Sequence, residues 1–382
     1  MAQPPKRFPR NDIMSLTAGT PRYDLAESIG PDLLLRELLN PAEDGDMAEL
    51  ALSYGTTAGD PALRKTLAES HGVDADDVVI TVGGMQALFL IAFILCRPGD
   101  KVVTTAPLFP NARNTLVSVG AEITDLPLSF DNGYRLDLEA LRRSLSAETK
   151  LVALATPQNP SGVAVPQKTI REILALMAVA SPDAYLLVDE TYREAAYGDE
   201  PVTPSMAPLD PRIVSCASLS KCHGAPGLRL GWAITRDAAL REQLLLGKFT
   251  TVIACSRADE ALALRVLQRS DAIIGARRVQ LYKGLAKTAA WVAEHSDFVD
   301  WIRPDAGALC CIRLKPEVFD DAAVARFYDG LAGRDVRVAD GRWFGDEARV
   351  FRLGFGLLSM AELEAGLAAV STTLRLAVRD AA

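Results

Sequence analysis

The stretch SLSKCHGAPGLRLGW, residues 218–232, sets one lysine, Lys221, among serines and glycines, with Arg229 eight residues further on. A lysine amine is a nucleophile only when neutral, so a reactive Lys221 has to titrate well below the ~10.4 of a free lysine. Burial and a nearby cation both push it down, and Arg229 is the cation the sequence offers. Ser218 and Ser220 add hydroxyl donors, and Arg229 adds a rigid fork that suits a phosphate. Together they describe a Schiff-base lysine beside a phosphate anchor. The plain alternative is an exposed loop lysine.

Two further segments carry chemistry. Gly83-Gly84-Met85 follows the apolar run VVITV (78–82), so free backbone N–H groups open a helix there and suit a phosphate. A simple glycine turn is the competing explanation. The following residues read GGMQAL, which is not the GxGxxG that a dinucleotide would require. Asp189 ends the run AYLLVDE (184–190), and a carboxylate there is costly unless it meets a positive partner. A protonated pyridine nitrogen is such a partner. Asp189 could instead only cap the next turn.

These residues must be positioned by a larger frame. The 382 residues suggest a large domain and a smaller one. KVVTTA (101–106), KLVALATP (150–157), RIVSCASLS (212–220) and RLGWAIT (229–235) join the two runs above as strands, and near-continuous apolar strands are buried on both faces. Helical segments alternate with them; GDPALRKTLAES opens with Asp60 as N-cap and Pro61 at the first helical position. This is an α/β fold with a mostly parallel sheet, and its ligands belong at the carboxyl ends of the strands. Beyond about residue 270 a long Arg/Ala/Leu-rich helix leads to GALCCIRL (307–314), VRVAD (336–340) and RVFRLGF (349–355), which alternate with helices as a small α+β domain. The expected division is 1–40 as a segment joining the small domain, 41–270 as the large domain, and 271–382 as the small one.

Composition excludes several classes. The net charge is −8 and no Lys/Arg block occurs, which disfavours nucleic acid. The longest apolar stretch, ALFLIAFILC, is too short to span a bilayer, and the basic N-terminus lacks the apolar core of a signal peptide. Six cysteines with no CxxC pair point to reduced thiols and the cytoplasm, and Cys310-Cys311 reads as core. His71, His223 and His295 do not fall at metal-ligand spacing, and no metal is expected.

From about residue 13 onward the chain resembles the class I/II aminotransferase family of pyridoxal 5'-phosphate (PLP) enzymes, fold type I. SLTAGTPRYD, YGTTAGDPALRKTLA, GGMQAL, APLFP, NPSG, DETY, SLSKCHGAPGLRLG and FRLGF occur in family order. The resemblance implies a seven-stranded sheet sandwiched by helices, PLP as cofactor, and a homodimer with active sites at the interface. It implies Lys221 as the Schiff base, Asp189 on the ring nitrogen, and Asn159 and Tyr192 on the phenolic oxygen. Phe109 would stack on the ring. Gly83, Gly84, Met85, Ser218, Ser220 and Arg229 would hold the phosphate, joined by Tyr54 of a neighbouring subunit. Gly19, Asn159 and Arg352 would bind the substrate carboxylate. The implied activity is transfer of an amino group between an α-amino acid and a 2-oxoacid.

The lysine region and GRWFG…RVFRLGF also resemble the capreomycidine-synthase-like group, so a PLP-dependent lyase or cyclase is the alternative. A regulator of this fold carries a winged-helix segment before it, and the match here starts near residue 13, which disfavours that reading. Glu260 stands where relatives often have Gln, and His223 beside the lysine is read as structural.

Overall fold

The computed structural model describes residues 7–17, 19, 21–39, 45–199 and 202–379. In chain order its strands are β1 (Tyr23–Asp24), β2 (Val78–Val82), β3 (Lys101–Ala106), β4 (Glu122–Pro127), β5 (Thr149–Ala155), β6 (Tyr185–Asp189), β7 (Ile213–Ser218), β8 (Leu230–Thr235), β9 (Val299–Ile302), β10 (Leu309–Leu314), β11 (Val336–Arg337), β12 (Ala339–Asp340) and β13 (Val350–Gly354). Seven of them form one sheet in the order β2-β8-β7-β6-β5-β3-β4. β7, β6, β5, β3 and β4 pair in parallel, and only β8 runs against its neighbours β2 and β7.

The alternation along β5 shows why this sheet is covered on both faces. Leu151 and Ala153 join the core under the helices Gly83–Leu95 and Ala238–Val252, whereas Val152 and Leu154 join the opposite core under Gln167–Ala180. On that opposite side, Leu63 and Leu67 of the helix Pro61–His71 pack with Ile80 and Trp232. Asp60 caps this helix as expected, accepting from Ala62 N at 2.9 Å and Leu63 N at 3.0 Å.

A second, four-stranded antiparallel sheet, β12-β13-β10-β9, packs against the helices Asp321–Ala332, Met360–Arg379 and the long Ser270–Glu294. Cys310 and Cys311 lie inside it, fully buried. β1 pairs in parallel with β11, tying the N-terminal segment to this part of the chain. The sequence read VRVAD as one strand. It is two short ones that serve different sheets: β11 partners β1, and β12 partners β13. The polar edge strand β4 and the short β9 were not read from the sequence at all.

Candidate active site

Because β2, β3, β5, β6 and β7 run in one direction, their carboxyl ends share one edge of the sheet. Gly83 follows β2, Phe109 lies three residues past β3, Asn159 lies beyond β5, Asp189 ends β6, and Ser218 ends β7 with Lys221 just after. Arg229 enters from the start of β8. These elements surround a cavity of about 370 Å³ lined by Gly84, Met85, Phe109, Asn159, Asp189, Tyr192, Ser218, Ser220, Lys221 and Arg229. Ten of the residues singled out from the sequence thus meet in one place.

One end of the cavity is built for an anion. Gly83 has φ +69°, which favours glycine, and a Cβ on it would stand 2.6 Å from Arg229 Nη2, so any side chain there would displace the guanidinium. Gly231 on β8 lets the chain pass close behind; a Cβ there would be 2.5 Å from Gly84 N. Arg229 is itself left-handed at φ 46°, with Nη1 donating to Pro226 O at 3.0 Å. No carboxylate among the described residues pairs with it. A helix N-terminus, two serines and an unpaired guanidinium are a donor set for phosphate.

The other end is built for a ring. Asp189 Oδ1 accepts from Thr191 N at 3.0 Å and from Thr191 Oγ1 at 2.6 Å. The carboxylate therefore does cap a turn, and it also faces the cavity with Oδ2 uncommitted. Burial raises the Asp189 pKa, while the two Thr191 bonds and the charge of Lys221 lower it. Phe109 packs with Ile13, Ala26 and Phe344 along the cavity wall.

Beside the ring end, polar groups connect to Arg352. Arg352 lies on β13 and is 1% exposed, not a surface residue. Its Nη1 donates to Asn159 Oδ1 at 2.8 Å, its Nη2 donates to Ala26 O, and its guanidinium lies 4.8 Å over the Phe344 ring. Nε is buried without a partner, and no carboxylate among the described residues forms an ion pair with the guanidinium, although Glu27 and Asp24 act on it through space. Asn159 Nδ2 in turn donates to the Tyr192 hydroxyl at 3.5 Å. Burial lowers the Arg352 pKa, a cost that a substrate carboxylate would relieve.

Burial lowers the Lys221 pKa to about 8; Glu27 opposes the shift and Arg352 adds to it. The cation bearing on the lysine is thus Arg352, not Arg229. Arg229, left-handed in its backbone, sets its guanidinium beside Gly83 and donates to Pro226 O. Lys221 and Tyr192 also line a second, larger cavity of about 680 Å³, bounded by residues 28–33 and by the start of the helix Ser270–Glu294. There Ser28 accepts from Lys221 Nζ at 3.3 Å and from the Tyr192 hydroxyl at 2.9 Å. Ser28, Glu27 and the Ala26 carbonyl were missed in the sequence, because nothing in the spacing of LAES marks them.

Two expected residues stand apart. Tyr54 is 80% exposed and lines neither cavity. Gly19 is exposed with no atom within 4 Å of a Cβ position, and Ala26 is the residue whose carbonyl meets Arg352. His223 is buried, with Nε2 2.9 Å from Ser270 Oγ.

Comparison with known proteins decides the family. The family model described as aminotransferase class I and II matches residues 11–370. The chain belongs to this family. Among its curated relatives, capreomycidine synthase of Streptomyces vinaceus is 32% identical over 88% of this chain and 85% of that protein. The arginine–pyruvate transaminase of Pseudomonas aeruginosa is 28% identical over 88% of this chain and 84% of that protein. A crystal structure of a PLP-dependent aminotransferase from Streptococcus suis superposes with a TM-score of 0.88 at 26% identity, covering 97% of this chain and 98% of that one. The aminotransferase has the fold type I architecture, and its cofactor is PLP. The glycine-floored anion end, the half-buried Asp189 and the low-titrating Lys221 fit that cofactor at its phosphate, its ring nitrogen and its aldehyde. No helix among the described residues is long and apolar enough to cross a membrane.

Proposed function

We propose that the enzyme transfers the amino group of an α-amino acid to a 2-oxoacid with Lys221 and Arg352 as its two working ends. The carrying observation is the buried Arg352, free of any direct ion pair among the described residues and joined through Asn159, Tyr192 and Ser28 to Lys221. The bound cofactor supplies an electron sink for a carbanion at the substrate Cα. Asp189 would pair with the protonated ring nitrogen of the bound cofactor, and Lys221 is the amine that would hold its aldehyde carbon. Arg352 clamps the substrate carboxylate through its two terminal nitrogens and so turns the Cα–H bond toward Lys221. Freed Lys221, whose pKa of about 8 leaves a sizeable neutral fraction near neutral pH, would take that proton and return it.

The donor of first choice is arginine. A relative carries that activity in its name, and the larger cavity beyond Lys221 has room for a long side chain. Asp32, Glu37 and Asp271 line it; its two arginines are turned to backbone carbonyls, Arg269 to Glu37 O and Arg277 to Pro31 O. A panel of amino acids mixed singly with the PLP-loaded enzyme tests this. Stoichiometric 2-oxoacid and a matching change in cofactor absorbance are expected, fastest with arginine, and no half-reaction with any donor overturns it.

The 32% identity to capreomycidine synthase favours a second reading, lyase or cyclase chemistry on the same residues. Product analysis separates the two, since that chemistry consumes no oxoacid and leaves no amino group on the cofactor.

The homodimer belongs to this proposal. The helices Gly83–Leu95 and Ala238–Val252 touch at Gly247 and leave Phe93 63%, Phe249 57% and Leu246 53% exposed. Tyr54 is also exposed, and the family resemblance would set it at the partner's phosphate end across such an interface. The division of the chain near residues 40 and 270 and a cytoplasmic location complete the proposal; the separate small-domain core and six free, buried cysteines support them.

A further inference from the structure

Ser28 sits where no motif places a residue. It is 3% exposed, and its Oγ accepts from both the Tyr192 hydroxyl, at 2.9 Å, and Lys221 Nζ, at 3.3 Å. Two residues earlier, Ala26 gives its carbonyl to Arg352. The contacts Arg352–Asn159–Tyr192–Ser28 therefore close into a ring through the main chain of residues 26–28. The segment that delivers Ser28 is fixed. Leu25 N donates to Arg337 O at 2.8 Å, Gly354 N donates to Leu25 O at 2.7 Å, and Asp24 pairs with Arg337 at 2.5 Å. Ser28 is thus held by the elements around β11 and β13, whereas Lys221 and Tyr192 hang from the ends of β7 and β6.

We propose that Ser28 is a catalytic residue of this site, whose hydroxyl holds the Lys221 amine in both of its protonation states and stabilises the ammonium formed when the lysine takes a proton. A hydroxyl has one proton and two acceptor positions. Burial raises the Tyr192 pKa, so Tyr192 stays protonated and spends its proton on Ser28, which leaves the cofactor's phenolic oxygen to the Asn159 amide and makes Tyr192 there an acceptor only. The Ser28 proton is then free to point at the lone pair of neutral Lys221, and the remaining lone pair accepts from the ammonium without movement of any heavy atom. A hydrogen bond to a charged group is roughly twice as strong as one between neutral groups. Ser28 therefore favours the ammonium over the amine, which is the difference that lowers the barrier to proton removal. The kinetic arm of the test rests on the aminotransferase reading; the titration arm does not.

Ser28→Ala and Ser28→Thr test the proposal. In apoenzyme, modification of Lys221 by trinitrobenzenesulfonate is followed against pH and read by peptide mass spectrometry. The midpoint falls by about half to one pH unit in S28A, for loss of one charge-assisted bond, and returns to the wild-type value in S28T. In PLP-loaded enzyme, S28A lowers kcat about 10-fold with KM within about twofold and enlarges the isotope effect of an α-deuterated donor; S28T recovers most of the rate. An unchanged Lys221 midpoint in S28A overturns the proposal whatever the kinetics show. S28T behaving as S28A in both arms overturns it too, since packing rather than the hydroxyl would then be responsible. Wild-type enzyme that transaminates no donor sinks the aminotransferase reading instead, and the titration still decides Ser28.

Discussion

Replacing Arg352 by methionine should separate activity from stability. The guanidinium is buried, its Nε has no partner, and its terminal nitrogens hold only Asn159 Oδ1 and Ala26 O. Two charge-assisted hydrogen bonds to a substrate carboxylate are worth about 1.5–3 kcal/mol each. Losing both gives roughly 4 kcal/mol, or about a thousandfold in kcat/KM. Arg352→Lys keeps the charge but not the fork and should lose about a hundredfold. Stability behaves differently. Methionine removes a buried charge that has no direct ion pair and is only partly compensated by Glu27 and Asp24, a gain that offsets the two acceptors it strands, at about 1–3 kcal/mol each. Urea unfolding of apoenzyme should therefore differ from wild type by about 2 kcal/mol or less. Initial rates with the fastest donor, set beside those unfolding curves, are the assay. A kcat/KM within about fivefold of wild type in folded R352M would refute the reasoning, as would an activity loss matched by wholesale loss of stability.

Gly83→Ala forces a Cβ to 2.6 Å from Arg229 Nη2 at a positive φ, so PLP affinity in equilibrium dialysis should weaken about 10-fold or more, with Lys221 chemistry intact. Lys221 titrates at about 8 in the folded chain, below its unfolded value, so the native protein binds fewer protons between the two. Stability therefore rises with pH across that window and is lowest below 8. Apo Lys221→Met should be more stable than wild type at pH 7 by about 1–3 kcal/mol, with the gap closing near pH 10, and the wild-type half-reaction rate should climb through pH 8. Phe249→Asp places a charge on the exposed apolar face; if the proposed homodimer forms there, analytical ultracentrifugation should show monomers, with a drop in cofactor affinity if Tyr54 completes the partner's site as proposed.

What could be read from the sequence follows from how tightly chemistry constrains residue type. Asp189 after four apolar residues, and Lys221 between serines and glycines, are combinations that cost free energy without a ligand, so they stand out in one dimension. β5, β6 and β7 were legible because burial on both faces demands unbroken apolar runs. β4 was not, since this edge strand carries Glu122, Thr124 and Asp125 and needs only backbone pairing to β3. β1 is two residues long and exists only because β11 is there to pair with it. The mistake over Arg229 has the same root. Proximity in sequence suggested a cation beside Lys221, but Arg229 sets its guanidinium beside Gly83, and Arg352 arrives from a different sheet. Ser28 could not be found at all, because a serine becomes significant only when the fold sets it between a lysine and a tyrosine.

The central claim is that Lys221, of all the lysines in the chain, carries the cofactor. Borohydride reduction of PLP-loaded enzyme, followed by peptide mass spectrometry, tests it directly. The account predicts one pyridoxyl group per chain, on Lys221, and none after the same treatment of Lys221→Ala. A pyridoxyl group on another residue, such as the buried Lys248, or full labelling of the alanine variant, would contradict it.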